Sequence, residues 1–275
     1  MTIALVAVAK LEENYLIEWV QYYLHIGFDM IYLYENNKEA KYADLLKDFP
    51  KVQVIHFPSD GSPTRSTQYY VLEDFCNNYK ANFTWMAHFD IDEFLVLKKH
   101  KTIQEFCQEF LGNEEGGIVV PWVHFGDNGH ETYTAKPVTY RFTKREDIST
   151  TKTAFVKSIA CTACIDSFID WHIPKLKKGS MKTTDGDIIT KRETDKKPID
   201  IIQLNHYFCK SKEEFKIKRI RGEVGVPSTH PSKFGKSEHG RYQHSMFTRY
   251  NQNILEDLYA KEKYEEFLKQ TEIQE

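Results

Sequence analysis

From Ile3 to Asp92 short apolar runs alternate with stretches of helical periodicity, and each apolar run ends on polar residues. Ile3 to Ala9 reads as a strand. Glu12-Glu13-Asn14 opens a helix whose Leu16, Val20, Tyr23 and Leu24 fall on one face, and Gly27 ends it. Met30 to Tyr34 and Val52 to Ile55 read as further strands, with a short helix around Tyr42 to Lys47 between them. A loop at Ser59 to Pro63 leads to a helix from about Ser66 to Tyr79, and Phe83 to Phe89 forms a fourth strand that runs into Asp90. This β-α-β-α order with short connections predicts an α/β fold with a mostly parallel central sheet flanked by helices. Ligands of such sheets bind beyond the carboxyl ends of the strands. Lys10, Glu35-Asn36-Asn37 and Asp90-Ile91-Asp92 are all expected at that edge.

Past Asp92 the pattern loosens. A helix is expected over Thr102 to Leu111, and strands over Gly117 to His124, Phe155 to Ile159 and Ile199 to Leu204. A helix capped by Ser211 is expected to run to Arg221, and a last amphipathic helix spans Gln252 to Gln270. Lys175 to Lys197 reads as an exposed excursion. Gly222 to His244, rich in Gly, Pro, Ser and His, reads as a loop able to cover a site. The 275 residues divide into a domain over 1–222, with a first half to about 97 and a second half beyond it. Residues 223–275 form a flexible loop and a helix packed on that domain.

Composition excludes some classes. With 37 basic and 40 acidic residues the formal charge is -3, which disfavours binding nucleic acid through its phosphates. No apolar run reaches transmembrane length, and the N-terminal run lacks the basic region of an export signal. A soluble, cytoplasmic protein with reduced cysteines is the expectation. Cys161-Thr162-Ala163-Cys164 has the spacing of half a zinc site, but no second pair completes it.

The sharpest local feature is Trp85-Met86-Ala87-His88-Phe89-Asp90-Ile91-Asp92-Glu93-Phe94. Continued as a strand, this run would put Asp90 and Asp92 on one side. Two adjacent carboxylates call for a cation, and oxygen ligands suit Mg²⁺ or Mn²⁺. An ion there can bridge a diphosphate. Asn205-His206-Tyr207-Phe208-Cys209-Lys210-Ser211 offers a histidine at a strand end and a lysine before a helix start. Phe125 to His130 and Asp170-Trp171-His172 are further candidates. A hydrophobic strand ending in Asp-x-Asp also opens the active site of haloacid-dehalogenase-like phosphohydrolases, though Phe94 stands where those carry Thr or Val.

Taken in order, these motifs resemble glycosyltransferase family 92 and its bacterial and viral relatives. The similarity runs through Lys10 to Tyr23, Gly27, Tyr32 to Asn37, Gln68, Trp85, Asp90 to Phe94 and Trp122 to Gly126. It closes with Asn205-His206-Tyr207, Lys210-Ser211, Glu213 to Phe215, Lys218 and Arg221-Gly222. The resemblance implies a GT-A, Rossmann-like fold and a hexosyl transfer from a nucleotide-sugar, a UDP-sugar above others, to a hydroxyl of a glycan or glycoconjugate. It also implies dependence on Mn²⁺ (or Mg²⁺) through the Asp-x-Asp motif. Asp90, Asp92 and His206 would serve the metal, with Asp90 also meeting the donor, and Lys210 the diphosphate. Val8, Lys10, Glu35, Asn36, Arg65 and Gln68 would line the donor pocket. The resemblance favours inversion, which requires a carboxylate base near the acceptor, with Asp127 and Asp170 as the candidates; the alternative is a retaining mechanism, which needs no such base. The chain departs from the family pattern at Leu11-Glu12-Glu13, at Glu35 and at Asp127. The alternatives are a metal-dependent phosphohydrolase or nucleotidyltransferase, and a non-catalytic sugar-binding relative.

Overall fold

The computed structural model describes residues 1–59, 66–112, 116–150, 154–222 and 244–272. Its first half follows the sequence pattern. β1 (Ile3–Ala9), α1 (Glu13–His25), β2 (Met30–Glu35), α2 (Tyr42–Leu45), β3 (Val52–His56), α3 (Thr67–Asn78) and β4 (Trp85–His88) alternate as expected. β3, β2, β1 and β4 lie side by side in that order, all parallel. Inner parallel strands are buried on both faces, so their two sets of alternating side chains enter two cores. In β1, Ile3, Leu5, Ala7 and Ala9 join the larger core under α1, while Ala4, Val6 and Val8 join a smaller one under α3.

The second half is mixed rather than parallel. It comprises β5 (Glu93–Leu97), α4 (Ile103–Phe110), β6 (Gly116–His124), α5 (Val138–Arg141), β7 (Lys144–Arg145) and β8 (Ala154–Cys161). β9 (Ile165–Asp170), β10 (Ile173–Leu176), β11 (Ser180–Lys182), β12 (Glu193–Thr194) and β13 (Ile202–His206) come next. The chain ends with α6 (Lys212–Arg221), α7 (His244–Tyr250), β14 (Leu255–Glu256) and α8 (Tyr259–Glu272). The sheet continues from β4 through β8, β6 and β13 to β5, with β8 antiparallel to both its neighbours. β13 is parallel to β6 and antiparallel to β5, so one sheet crosses both halves of the chain.

Three expectations need correction. The run Lys175 to Lys197 is not wholly an excursion: β11 pairs with β6 and β12 with β8, because those two strands outrun their central partners. The last helix starts at Tyr259, not Gln252. Leu255–Glu256 instead pair with β7, and Asp257 anchors this stretch through its amide to Thr143 O (2.7 Å) and its carboxylate to Arg145 (2.8 Å). The fourth strand stops at His88. The expected loop over Gly222 to His244 falls almost wholly outside the described residues. α8 packs on α1, burying Ala260 and Tyr264 in the larger core. All five cysteines are free thiols, Cys161 and Cys164 among them. Among the described residues no helix is long and apolar enough to cross a membrane.

Candidate active site

The Asp90-Ile91-Asp92 segment is a turn, not the end of a strand, so strand alternation does not set its side chains. The Glu93 amide closes it on Asp90 O (3.0 Å), and the chain then reverses into β5. Helix α1 supports it from below. The Trp19 indole N–H donates to Asp90 O (3.1 Å) and Glu93 O (3.2 Å), and the Tyr23 hydroxyl donates to Glu93 O (3.0 Å). Phe89 and Phe94, both fully buried, stack on Tyr23. Helix α1 thus fixes the turn as well as packing on the core.

The two carboxylates face different cations. Lys157, fully buried on β8, donates to Asp90 Oδ2 at 3.0 Å and lies 3.7 Å from Glu93 Oε2. Glu93 Oε2 also accepts the Asp90 amide N–H at 2.9 Å. Gln68 Nε2 is 3.5 Å from Asp90 Oδ1. Asp92 instead accepts from Lys218 Nζ on Oδ2 (2.6 Å) and presents Oδ1 to His206 Nε2 at 3.7 Å. Burial pushes the Asp90 carboxyl up, but the Lys157 ammonium outweighs it with help from His88, bringing the group to about 2. Asp92 is likewise held well below the usual range, because Lys218 and His206 overcome its burial. Glu93 goes the other way: burial and the two neighbouring aspartates raise it beyond what Lys157 offsets. Burial lowers His206 despite Asp92, so its ring is neutral at pH 7 and able to act as a ligand.

His206 ends β13 in register with His124 of β6 on one side and Glu93 of β5 on the other. The Tyr207 amide donates to Asp92 O (2.8 Å), tying the turn to the end of β13. Asp92 Oδ1 and His206 Nε2 are close enough to meet one divalent ion, since two ligands each about 2.1 Å from an ion can lie up to about 4.2 Å apart. Among the described residues no group of three His, Cys, Asp or Glu side chains is placed to hold an ion. The remaining positions would fall to phosphate oxygens and water, as is usual for Mg²⁺. Beside this pair a cavity of about 190 Å³ is lined by Glu12, Tyr15, Phe208, Lys210, Lys218 and Arg221, among others. Lys210 adopts a left-handed backbone (φ 50°), and its ammonium lies 3.5 Å from the Tyr15 ring centroid. Arg221 donates to Lys10 O (2.8 Å) and to Glu12, tying α6 to the end of β1.

The sequence model of glycosyltransferase family 92 matches residues 5–258, which includes every element of this site. The chain belongs to glycosyltransferase family 92. Among curated proteins none matches. Solved structures that match include HddC from Yersinia pseudotuberculosis, at 11% identity over 62% of this chain and 82% of that one, with a TM-score of 0.35. Another is 4-diphosphocytidyl-2C-methyl-D-erythritol synthase, at 12% identity over 70% of this chain and 94% of that one, with a TM-score of 0.36. Neither likeness bears on function.

The other expected site residues of this family 92 enzyme are distributed around the same edge. Val8 lies in the smaller core and Lys10 at the end of β1. Glu35 is wholly buried, and its carboxylate accepts from Asn37 Nδ2 (2.8 Å) and the Lys41 and Tyr42 amides (2.9 and 3.1 Å), which start α2. Asn36 donates to Phe57 O (2.9 Å) and Ser59 O (2.7 Å), while its buried Oδ1 has no hydrogen-bond partner among the described residues. Arg65 lies outside the described residues. Asp127 Oδ1 accepts from the Gly129 amide (2.9 Å) and Asn253 Nδ2 (3.1 Å), in the loop after β6. Asp170 accepts from the His172 amide (2.8 Å) and pairs with Arg192 (3.2 Å) where β9 turns into β10. That turn reaches the site, since His88 Nδ1 bonds Trp171 O (3.2 Å). Sequence reasoning missed Glu93, Lys157 and the pairing of Lys218 with Asp92. A signal existed for Lys157, as the single charge in the apolar run Ala154–Cys161.

Proposed function

We propose that this family 92 glycosyltransferase moves a sugar from a UDP-sugar to a hydroxyl of a glycan acceptor, with inversion and with Mn²⁺ or Mg²⁺ bound. The observation that carries this reading is the buried Asp92–His206 pair, 3.7 Å apart at the carboxyl edge of the sheet, with Lys210 and Lys218 beside it. A divalent ion held there supplies neutralisation of the charge that gathers on the departing diphosphate. Asp92 and His206 would hold it, and Lys210 and Lys218 add positive charge for the same phosphates. Asp90, ionised and partly open to the cleft, accepts hydrogen bonds from donor hydroxyls. Asp127 or Asp170 takes the proton from the acceptor oxygen as that oxygen attacks the anomeric carbon.

The test is nucleoside diphosphate release from a panel of UDP-, GDP-, CDP- and TDP-sugars with acceptor glycans, in Mn²⁺ or EDTA. Release from UDP-sugar that needs Mn²⁺ and falls about a hundredfold or more in Asp92→Asn is the expected result. Inorganic phosphate as the product would point to a phosphohydrolase. Asp127→Asn and Asp170→Asn separate the two bases: the true one loses turnover by about a hundredfold or more while donor binding persists. Full turnover in both variants would rule out both assignments.

A further inference from the structure

Lys157 sits where an ammonium needs a reason. It lies in the middle of β8, opposite Val120 of β6, with no exposed surface. A buried charge is tolerated only when paired and hydrogen-bonded. Its two partners belong to one turn. Lys157 Nζ holds the Asp90 side chain through Oδ2 at 3.0 Å, and Glu93 Oε2 at 3.7 Å. Glu93 in turn accepts the Asp90 amide at 2.9 Å, so one ammonium constrains both the side chain and the backbone of Asp90.

The Asp90 side chain nevertheless keeps 26% of its surface open, with Gln68 Nε2 at 3.5 Å from Oδ1. Asp92, two residues on, is served by Lys218 and faces His206. Two lysines approaching from different elements, β8 and α6, therefore sort the carboxylates of one turn. Without Lys157, Asp90 and Asp92 would be near neighbours of like charge, both free to turn to the same cation.

We propose that Lys157 is a positioning residue that reserves Asp90 for the hydroxyl groups of the donor and keeps it out of the metal shell, leaving Asp92 and His206 to hold the ion. This rests on the reading of the cleft as a nucleotide-sugar site. Lys157 touches neither donor nor metal and acts through Asp90 alone.

The experiment is a double-mutant cycle between Asp90→Asn and the paired change K157M/E93Q. The paired change removes the Lys157 ammonium and the Glu93 acid together, keeps an acceptor at position 93 for the Asp90 amide, and leaves Asp90 on its partly open face. Donor KM and kcat are measured with the nucleotide-sugar that wild type uses, and Mn²⁺ affinity from the spin-resonance signal of free Mn²⁺. K157M/E93Q is expected to raise donor KM about tenfold or more, to leave Mn²⁺ affinity undiminished or raise it as the released Asp90 turns to the ion, and to add nothing further in the Asp90→Asn background. Additive effects on KM, or a loss of Mn²⁺ affinity alongside the KM change, would overturn the proposal. Wild-type transfer with an unchanged KM in K157M/E93Q would overturn it alone. Wild type that transfers from no nucleotide-sugar would overturn the reading of the cleft and this inference with it.

Discussion

Replacing Glu214 by Ala removes the carboxylate that fixes helix α6, the element carrying Lys218 and Arg221. Glu214 receives a two-pronged pair from Arg141 (2.7 and 3.0 Å) and the Tyr15 hydroxyl (2.8 Å), and it closes the capping box with Ser211. Both charged side chains are almost entirely buried. Breaking such a pair from one side costs about 3–5 kcal/mol, because the Arg141 guanidinium stays buried without its anion. The pKa leads to a similar figure. Burial raises the Glu214 carboxyl, but the hydrogen bonds from Arg141 and Ser211 outweigh it and hold the group at about 2 against an ordinary 4.5. At about 1.4 kcal/mol per pH unit that difference is worth about 3 kcal/mol. The folded value is depressed, so this stabilisation is complete above the ordinary value and disappears as pH falls from about 4.5 towards 2. For a chain of this size about 3–4 kcal/mol lowers Tm by about 6 °C. Calorimetry of wild type and Glu214→Ala at pH 7 should show that gap, and the gap should shrink when both are scanned below pH 4. A loss of under about 2 °C at pH 7, or a gap that stays constant into acid, would refute the argument. Replacing both partners by apolar residues of similar size should recover much of the loss.

Three further outcomes follow from the geometry. Glu18 is buried and accepts from the amides of Val138 (2.6 Å) and Thr139 (2.9 Å) and the Thr139 hydroxyl (2.7 Å), so Glu18→Ala strands the start of α5 and should cost about 2–3 kcal/mol in urea unfolding. Gly116 has φ 126°, and a Cβ there would overlap the backbone of Ser180, so Gly116→Ala should destabilise by about 3 kcal/mol or more and loosen β11 in hydrogen exchange. At Gly126 a Cβ would meet the Asn253 side chain, which bonds Asp127 and the Asn128 amide. Gly126→Ala should therefore lower turnover if Asp127 is the base, with a thermal loss of about 1–3 kcal/mol. Turnover unchanged in that variant would argue for Asp170.

What the sequence determines here is local. The apolar run Ile3 to Ala9 specifies a strand, which the fold buries on both faces, and the helical spacing of Leu16, Val20, Tyr23 and Leu24 specifies α1. Ser211 and Glu214, three apart, specify the start of α6. These signals survive because each depends on residues within one or two turns of the chain. The Asp-x-Asp motif and its place just after a buried strand were legible for the same reason, but not its turn conformation. Whether Asp90 and Asp92 share a face depends on where β4 stops, and that is decided by the Trp19 and Tyr23 contacts from α1. The partners that give the site its charges lie far off in sequence: Lys157 is 67 residues from Asp90, Lys218 is 126 from Asp92, and Arg221 is 209 from Glu12. No periodicity connects residues at such separations. They meet because a mixed sheet brings β8 beside β4 and β13 beside β5, and long-range strand order is set by how all the faces pack at once. Sequence alone marked the carboxylates; only the tertiary structure assigned each one its cation.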